Sequence, residues 1–367
     1  MNKLNENIFH LYNKWKEGYA RKENSFEVKF RTFLSNREDA DIFEISEDGK
    51  YINAFGDVKI TDDDIQDGEF IVPFGKVGGD FNCSKCTSLK SLKGAPEETK
   101  NFSCRNCSSL TSLEGAPKTI RGIFICKGCI SLKSLEGAPK TVGGDFDCGG
   151  CNLLTSLEGA PEEVGMDFDC ARCTSLTSLV GAPKKVEQDF FCRSCTSLTS
   201  LVGAPEEIGG SFNCYECYSL TSLEGATEEV GDSFNCGKCT SLTSLVGAPK
   251  KVGGSFRCSH CTSLKSLEGA PKSVRVDFVC NNCTSLTSLV GAPETIGWDF
   301  DCKKCTSLKS LKGAPKIIDV DFHCGGCTSL TSLEGLPKLI KGNLYIDEDF
   351  EDKIPDYVAI KGRIENE

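Results

Sequence analysis

The sequence predicts a repeat solenoid, mainly β, made of twelve stacked 22-residue coils. Three observations predict it. All 24 cysteines fall in Cys-x-x-Cys pairs. The pairs recur every 22 residues, with a single step of 21 between Cys83 and Cys104. A Phe stands two places before each first cysteine, from Phe81 to Phe322. A fixed period of this length marks a chain whose units cannot bury an apolar face alone and must stack.

Residues 1–70 lack the repeat. Leu4, Ile8, Phe9, Leu11, Tyr12 and Trp15 follow helical spacing, which predicts an amphipathic helix over 4–20. Short strands are expected over 26–33, 41–45 and 51–54, with an acidic turn at Asp62, Asp63 and Asp64. The segment reads as a small α+β N-terminal cap carrying one amphipathic helix, because stacked coils need a covered end.

Residues 71–339 are the twelve coils. In the coil from Val252, Phe256 and Cys258 alternate with period two, which describes a short strand with both facing inward. Leu264 and Leu267 continue the inward contacts after Cys261. Gly269, Ala270 and Pro271 force a corner, since Gly tolerates positive φ and Pro fixes φ and lacks an N–H. The Val or Ile four places before Phe closes the circuit. The coil that is one residue short loses it at Thr99-Lys100-Asn101. In residues 340–367, Ile340, Leu344 and Ile346 extend the inward columns without cysteines. This end reads as a degenerate coil and a short C-terminal cap, with a last strand over 357–360.

The run Phe-x-Cys-x-x-Cys-Thr-Ser-Leu-Thr-Ser-Leu-x-Gly-Ala-Pro resembles the leucine-rich repeat, and within it the BspA-like (Treponema-type) class most. The resemblance covers residues 77–346 and implies a solenoid with a binding face. The first cysteine of each pair, the Gly-Ala-Pro corner and the absence of an export signal depart from that class. Short regular repeats of this kind are also similar to those of some viral and phage proteins.

The paired cysteines are Cys83 with Cys86, Cys104 with Cys107, Cys126 with Cys129, Cys148 with Cys151, Cys170 with Cys173, Cys192 with Cys195, Cys214 with Cys217, Cys236 with Cys239, Cys258 with Cys261, Cys280 with Cys283, Cys302 with Cys305 and Cys324 with Cys327. Three readings are open. Reduced thiols would act as small buried hydrophobes, the second of each pair satisfying backbone groups at the bend. Zinc in four-cysteine sites between adjacent coils is the alternative, because Cys-x2-Cys-x18-Cys-x2-Cys lies in the zinc range, although the repeat itself produces that spacing. Basic residues between the paired cysteines, such as Lys85, Arg105, Arg193 and Lys238, would favour thiolate there. Disulfides are the third reading, and the thioredoxin-like context for a redox couple is absent.

Alternation sends outward the residues before Phe, between Phe and Cys, and after Cys. The first two columns are rich in aspartate, including Asp80, Asp145, Asp147, Asp167, Asp169 and Asp189, and the next is basic. Such a striped face is either neutralised by its own exposed pairs or docks a protein. Phe191, Arg193, Tyr215 and Tyr218 form the candidate interaction patch, being the residue types that anchor interfaces. Beyond the corner, Glu162-Glu163, Lys184-Lys185, Glu206-Glu207, Glu228-Glu229 and Lys250-Lys251 set opposite charges on successive rungs in three of the four steps, a device for register.

A formal net charge of −11 argues against binding to a phosphate backbone. No apolar run of membrane-spanning length exists, and no signal peptide is visible, which points to a cytoplasmic chain. The Ser column from Ser91 to Ser332 has no His or acid recurring beside it, so it reads as hydrogen-bonding and not nucleophilic. The expectation is a non-enzymatic scaffold that binds a protein partner or further copies of itself, with no cofactor unless zinc.

Overall fold

The computed structural model describes residues 25–366 except Asn36 and Glu38. The helix expected over 4–20 lies outside the described residues. The protein is a mainly β solenoid, and its contacts group it into two compact units. One is Met1–Leu153 with Glu158–Gly165, the other Leu154–Leu157 with Met166–Glu367.

Among the described residues the first unit begins with a helix, α1 (Ser25–Ser35), where a strand over 26–33 is expected. The segment carries both periods, Phe26-Val28-Phe30 as a strand and Phe26-Phe30-Phe33 as a helix. Burial decides between them: Phe30, Phe33 and Leu34 are buried together while Val28 is exposed. The expected strands appear as Phe43–Ile45 and Ile52–Ala54, paired antiparallel. The acidic turn is a 3-10 turn, Asp62–Asp64, closed by Thr61 and the Asp64 carboxylate. Aromatic edges carry this segment onto the first coils. Phe33 meets Phe43 at 5.3 Å and Phe74 at 5.6 Å, and Phe74 meets Phe81 at 5.0 Å. Strand pairing starts earlier than the repeat, since Val58–Lys59 already pairs in parallel with Phe81–Asn82.

Each coil then contributes two very short parallel strands, one at Phe and one at Val or Ile. In the first unit the Phe sheet runs through Phe81–Asn82, Phe102–Ser103, Phe124–Ile125 and Phe146–Asp147. The Val sheet holds Thr119–Ile120, Thr141–Val142 and Glu163–Val164. The shortened coil has only a lone bridge there, Lys76 with Glu98. Thr99 takes the Val place, and its hydroxyl donates to the Gly79 carbonyl at 2.8 Å and the Asn101 carbonyl at 3.1 Å.

In the second unit the Phe sheet runs from Phe168–Asp169 to Ile364–Asn366, and the Val sheet from Lys185–Val186 to Ala359–Ile360. Residues 340–366 therefore prolong both sheets, with a 3-10 segment, Glu348–Lys353, between the last strands. Two-residue strands hold because every Phe stacks on the next. Phe190 to Phe212 measures 5.2 Å and Phe234 to Phe256 5.5 Å between ring centres, in a fully buried column. Among the described residues no helix is long and apolar enough to cross a membrane.

Candidate functional site

The residue types able to do chemistry recur at the Cys-x-x-Cys bend. The second cysteine's N–H donates to the carbonyl of the first, as from Cys217 to Cys214 at 3.3 Å and from Cys173 to Cys170 at 3.4 Å. The residue just before the second cysteine takes the left-handed conformation in every coil, with φ from +56° to +72°. It is Gly at Gly128, Gly150 and Gly326, and a range of side chains elsewhere, from Arg172 to His260. The bend leaves both thiols inside and turns the residues between them out.

All 24 cysteines are buried and unbridged. The second thiol of a coil donates to the carbonyl of the first cysteine one coil earlier. In the first unit Cys107 reaches Cys83 at 3.1 Å and Cys151 reaches Cys126 at 3.3 Å. In the second, Cys195 reaches Cys170, Cys217 reaches Cys192 and Cys283 reaches Cys258, all at 3.2 Å. Cys305 reaches Cys280 at 3.3 Å, and the ladder runs on to Cys327 and Cys302. These bonds add a thiol donor to buried carbonyls, several of which, such as those of Cys83, Cys126 and Cys170, also accept the N–H of the second cysteine in their own coil. Burial, then the facing second-column thiol, pushes Cys170, Cys192 and Cys214 well above the ordinary thiol value. Burial pushes Cys86 up to about 12. Cys327 alone among the shifted thiols is lowered, by its bond with Cys302. The intervening basic residues do not produce thiolate in the way their positions suggest, because they point to solvent: Lys238 pairs with Glu216 at 3.1 Å and Lys127 with Asp147 at 3.0 Å.

Among the described residues no group of three or more Cys, His, Asp or Glu side chains is arranged to hold a metal ion. The spacing of the pairs suggests sulfurs converging four at a time between adjacent coils. The coils stack in register, and a second-column thiol faces a first-column thiol of the coil before it in pairs, as Cys195 faces Cys170 and Cys217 faces Cys192. Cys173, Cys283 and Cys305, candidate ligands by spacing, thus lie buried in the second column without joining a four-sulfur cluster. The Cys283 and Cys305 thiols are each directed at a carbonyl one coil back.

The outward aspartates are occupied too. The residue before Phe is half-buried, and its oxygen accepts the N–H of the same position one coil on. Asp167 takes that of Asp189, Asp189 that of Ser211, and Asp321 that of Asn343. The residue after Phe, when Asp or Asn, caps the bend two residues ahead, as Asp169 does for Ala171 and Asn213 for Tyr215. Both columns thus serve the backbone more than a striped face would require. In the Ser column, Ser112, Ser266 and Ser288 accept the N–H two residues on, while the buried Ser91 hydroxyl has no partner among the described residues. At the register corner, Lys250 pairs with Glu228 at 2.5 Å and Lys251 with Glu229 at 2.7 Å. Lys185 turns instead to Glu187 of its own coil at 2.7 Å.

Among the patch residues, Phe191 ends a strand, Arg193 lies in the bend that follows it, and Tyr215 takes the place of Arg193 one coil on. Tyr218 lies past the bend and is exposed. What ties the last part together is a residue that residue-type reasoning passes over. Lys238, Ser194 and Tyr218 together hold the Glu216 carboxylate below its ordinary value. Lys238 also sits over the Tyr215 ring at 5.0 Å. Glu216 is the single acid among residues between paired cysteines, and that exception is the available signal.

No family model matches the chain, and no curated protein matches it. The chain is similar to a solved leucine-rich repeat protein from Bacteroides ovatus, at 14% identity, over 87% of this chain and 97% of that one, with a TM-score of 0.36.

Proposed function

We propose that the protein is a non-enzymatic scaffold whose outward positions bind a protein partner. One observation carries this reading: the inward columns are the same residue in coil after coil, while the outward positions change. Phe191, Asn213, Asn235, Arg257 and Asp301 occupy one outward place, with Val279 at the same place buried. A uniform core with a variable face is what a binding surface needs, and the recurring Cys, Ser and Asp side chains are spent on backbone ladders. Phe191, Arg193, Tyr215 and Tyr218 supply anchors of the aromatic and arginine type.

The test compares the full chain with a variant carrying Phe191→Ser, Arg193→Ser, Tyr215→Ser and Tyr218→Thr. Proteins captured from the source cells are quantified for both. The reading expects specific proteins held by the first and lost by the second, with melting unchanged. Equal capture by both would remove the patch. Zinc between adjacent coils, the alternative, would replace the scaffold reading if natively purified protein held about six ions per chain and chelation unfolded it.

A further inference from the structure

The corner between the Val and Phe strands is polar or small through most of the second unit, with Gln188, Gly210, Asp232 and Gly254 on successive coils. It then changes to Val276, Trp298 and Val320. These three are stacked by backbone bonds, Trp298 N–H to the Val276 carbonyl at 3.1 Å and Val320 N–H to the Trp298 carbonyl at 3.3 Å. Trp298 is 57% exposed and Val320 36%, and Ile317 on the same coil is 37% exposed. A ridge of this kind around a tryptophan is what interfaces use and what isolated surfaces avoid.

Beside the ridge runs a second column, Asp277, Asp299 and Asp321. One oxygen of each serves the ladder: Asp277 Oδ1 accepts the Asp299 N–H at 3.5 Å, and Asp299 Oδ1 the Asp321 N–H at 2.9 Å. Asp277 Oδ2 is taken by Ser255 and Arg257. The Oδ2 atoms of Asp299 and Asp321 receive no such bond among the described residues. Burial, then the like charges of Asp277 and Asp321, pushes the Asp299 carboxyl up. Two half-buried carboxylates thus stand one rung apart beside Trp298, where the charge of His323 favours the Asp299 carboxylate.

We propose that Val276, Trp298 and Val320, with the Asp299 and Asp321 carboxylates, form a docking site for an extended protein segment in which arginine or lysine alternates with aliphatic side chains. The aliphatic groups cover the ridge. The cation bridges the carboxylates and stacks on Trp298, an arrangement favourable to guanidinium above all. This rests on the protein-binding reading and names the partner's chemistry.

The test selects a random peptide display library on the full chain. Selected peptides are expected to alternate basic and aliphatic residues. They should bind Trp298→Ala, and separately the double variant Asp299→Asn with Asp321→Asn, at least about tenfold more weakly. Asn keeps the ladder acceptor and removes only the charge; Asn343 already stands in that column. Peptides that bind Trp298→Ala equally well would overturn this site and leave the scaffold reading standing. Peptides sensitive to Trp298 but indifferent to the double Asn variant would overturn the cationic partner. No selection on the unaltered chain would overturn the site outright, while the fate of the scaffold reading would rest on its own capture experiment.

Discussion

Each coil turns sharply at two places, the cysteine bend and the Gly-Ala-Pro corner, and both need a left-handed residue. At the corner that residue is Gly in every coil, with φ from +87° to +99°. At the bend it is Gly in only three. Conformation alone does not explain the contrast, since lysine, arginine and glutamate all adopt positive φ at the bend. Proximity does. A Cβ on Gly203 would lie 2.5 Å from both the N and Cα of Val180, on the coil before. A Cβ on Gly150 at the bend would meet nothing nearer than 3.8 Å. The corner is where backbone rests on backbone, and the bend is where side chains leave the molecule. Invariance within a repeat therefore reports close approach, and variability reports open space that function can use.

The largest way to break the bend is alkali, because it acts on every coil at once. An unfolded thiol ionises near 8.5. First-column thiols such as Cys170, Cys192, Cys214, Cys236 and Cys258 hold their protons to higher pH, and Cys86 does so up to about 12. Between those values the folded chain binds more protons than the unfolded one, so stability falls as pH rises. The contribution is fully present below about pH 8.5. Melting temperature should drop steeply above about pH 9, and thiolate absorbance beyond the single thiol of Cys327 should appear only with unfolding. Thiolate that forms while the strands remain intact would contradict the buried ladder.

The corner is broken by a single methyl. Gly203→Ala faces about 1–2 kcal/mol for left-handed backbone and about 1–3 kcal/mol for the overpacked neighbour. Denaturant unfolding should read the sum, and a loss below about 1 kcal/mol would mean that the coils separate easily there.

How far the sequence reaches follows the same contrast. The inward columns are legible because a 22-residue period repeats them many times over, and the corner because Gly and Pro each name a backbone constraint. The segment 26–33 misleads, since Phe26, Val28, Phe30 and Phe33 satisfy strand and helix periods together, and only the buried partners Phe43 and Phe74 select the helix. The cysteine spacing is legible only in part. It gives the period of the coil but not the direction of the thiols, and Cys283 and Cys305 spend theirs on carbonyls. The aspartate columns look like surface charge in sequence. Their carboxylates complete the backbone of two-residue strands, which no spacing rule shows. The patch is half legible: Phe191, Arg193, Tyr215 and Tyr218 stand out by type, but the Glu216 and Lys238 contacts that order them cross between coils.

A finer test concerns the thiol ladder. Cys217→Ala removes the donor to the buried Cys192 carbonyl and should cost about 1–3 kcal/mol, whereas Cys217→Ser retains a donor and should cost less. Equal losses from the two variants would reduce Cys217 to a packing residue.

The smallest effect is also the most specific to the comparison. His260 occupies the left-handed place at the bend with φ +59°, and its side chain is exposed. A side chain there is disfavoured by about 1–2 kcal/mol, while glycine gives back about 0.5–1 kcal/mol through the freedom of the unfolded chain. His260→Gly should therefore stabilise by about 0.5 kcal/mol. Asn282→Gly, at the same place one coil on, should gain less, since Asn tolerates this conformation better than most side chains. Paired denaturant curves for the two variants would show it. If His260→Gly destabilises, the histidine makes a contact that the open bend does not account for, and the outward side of the bend is then more than free surface.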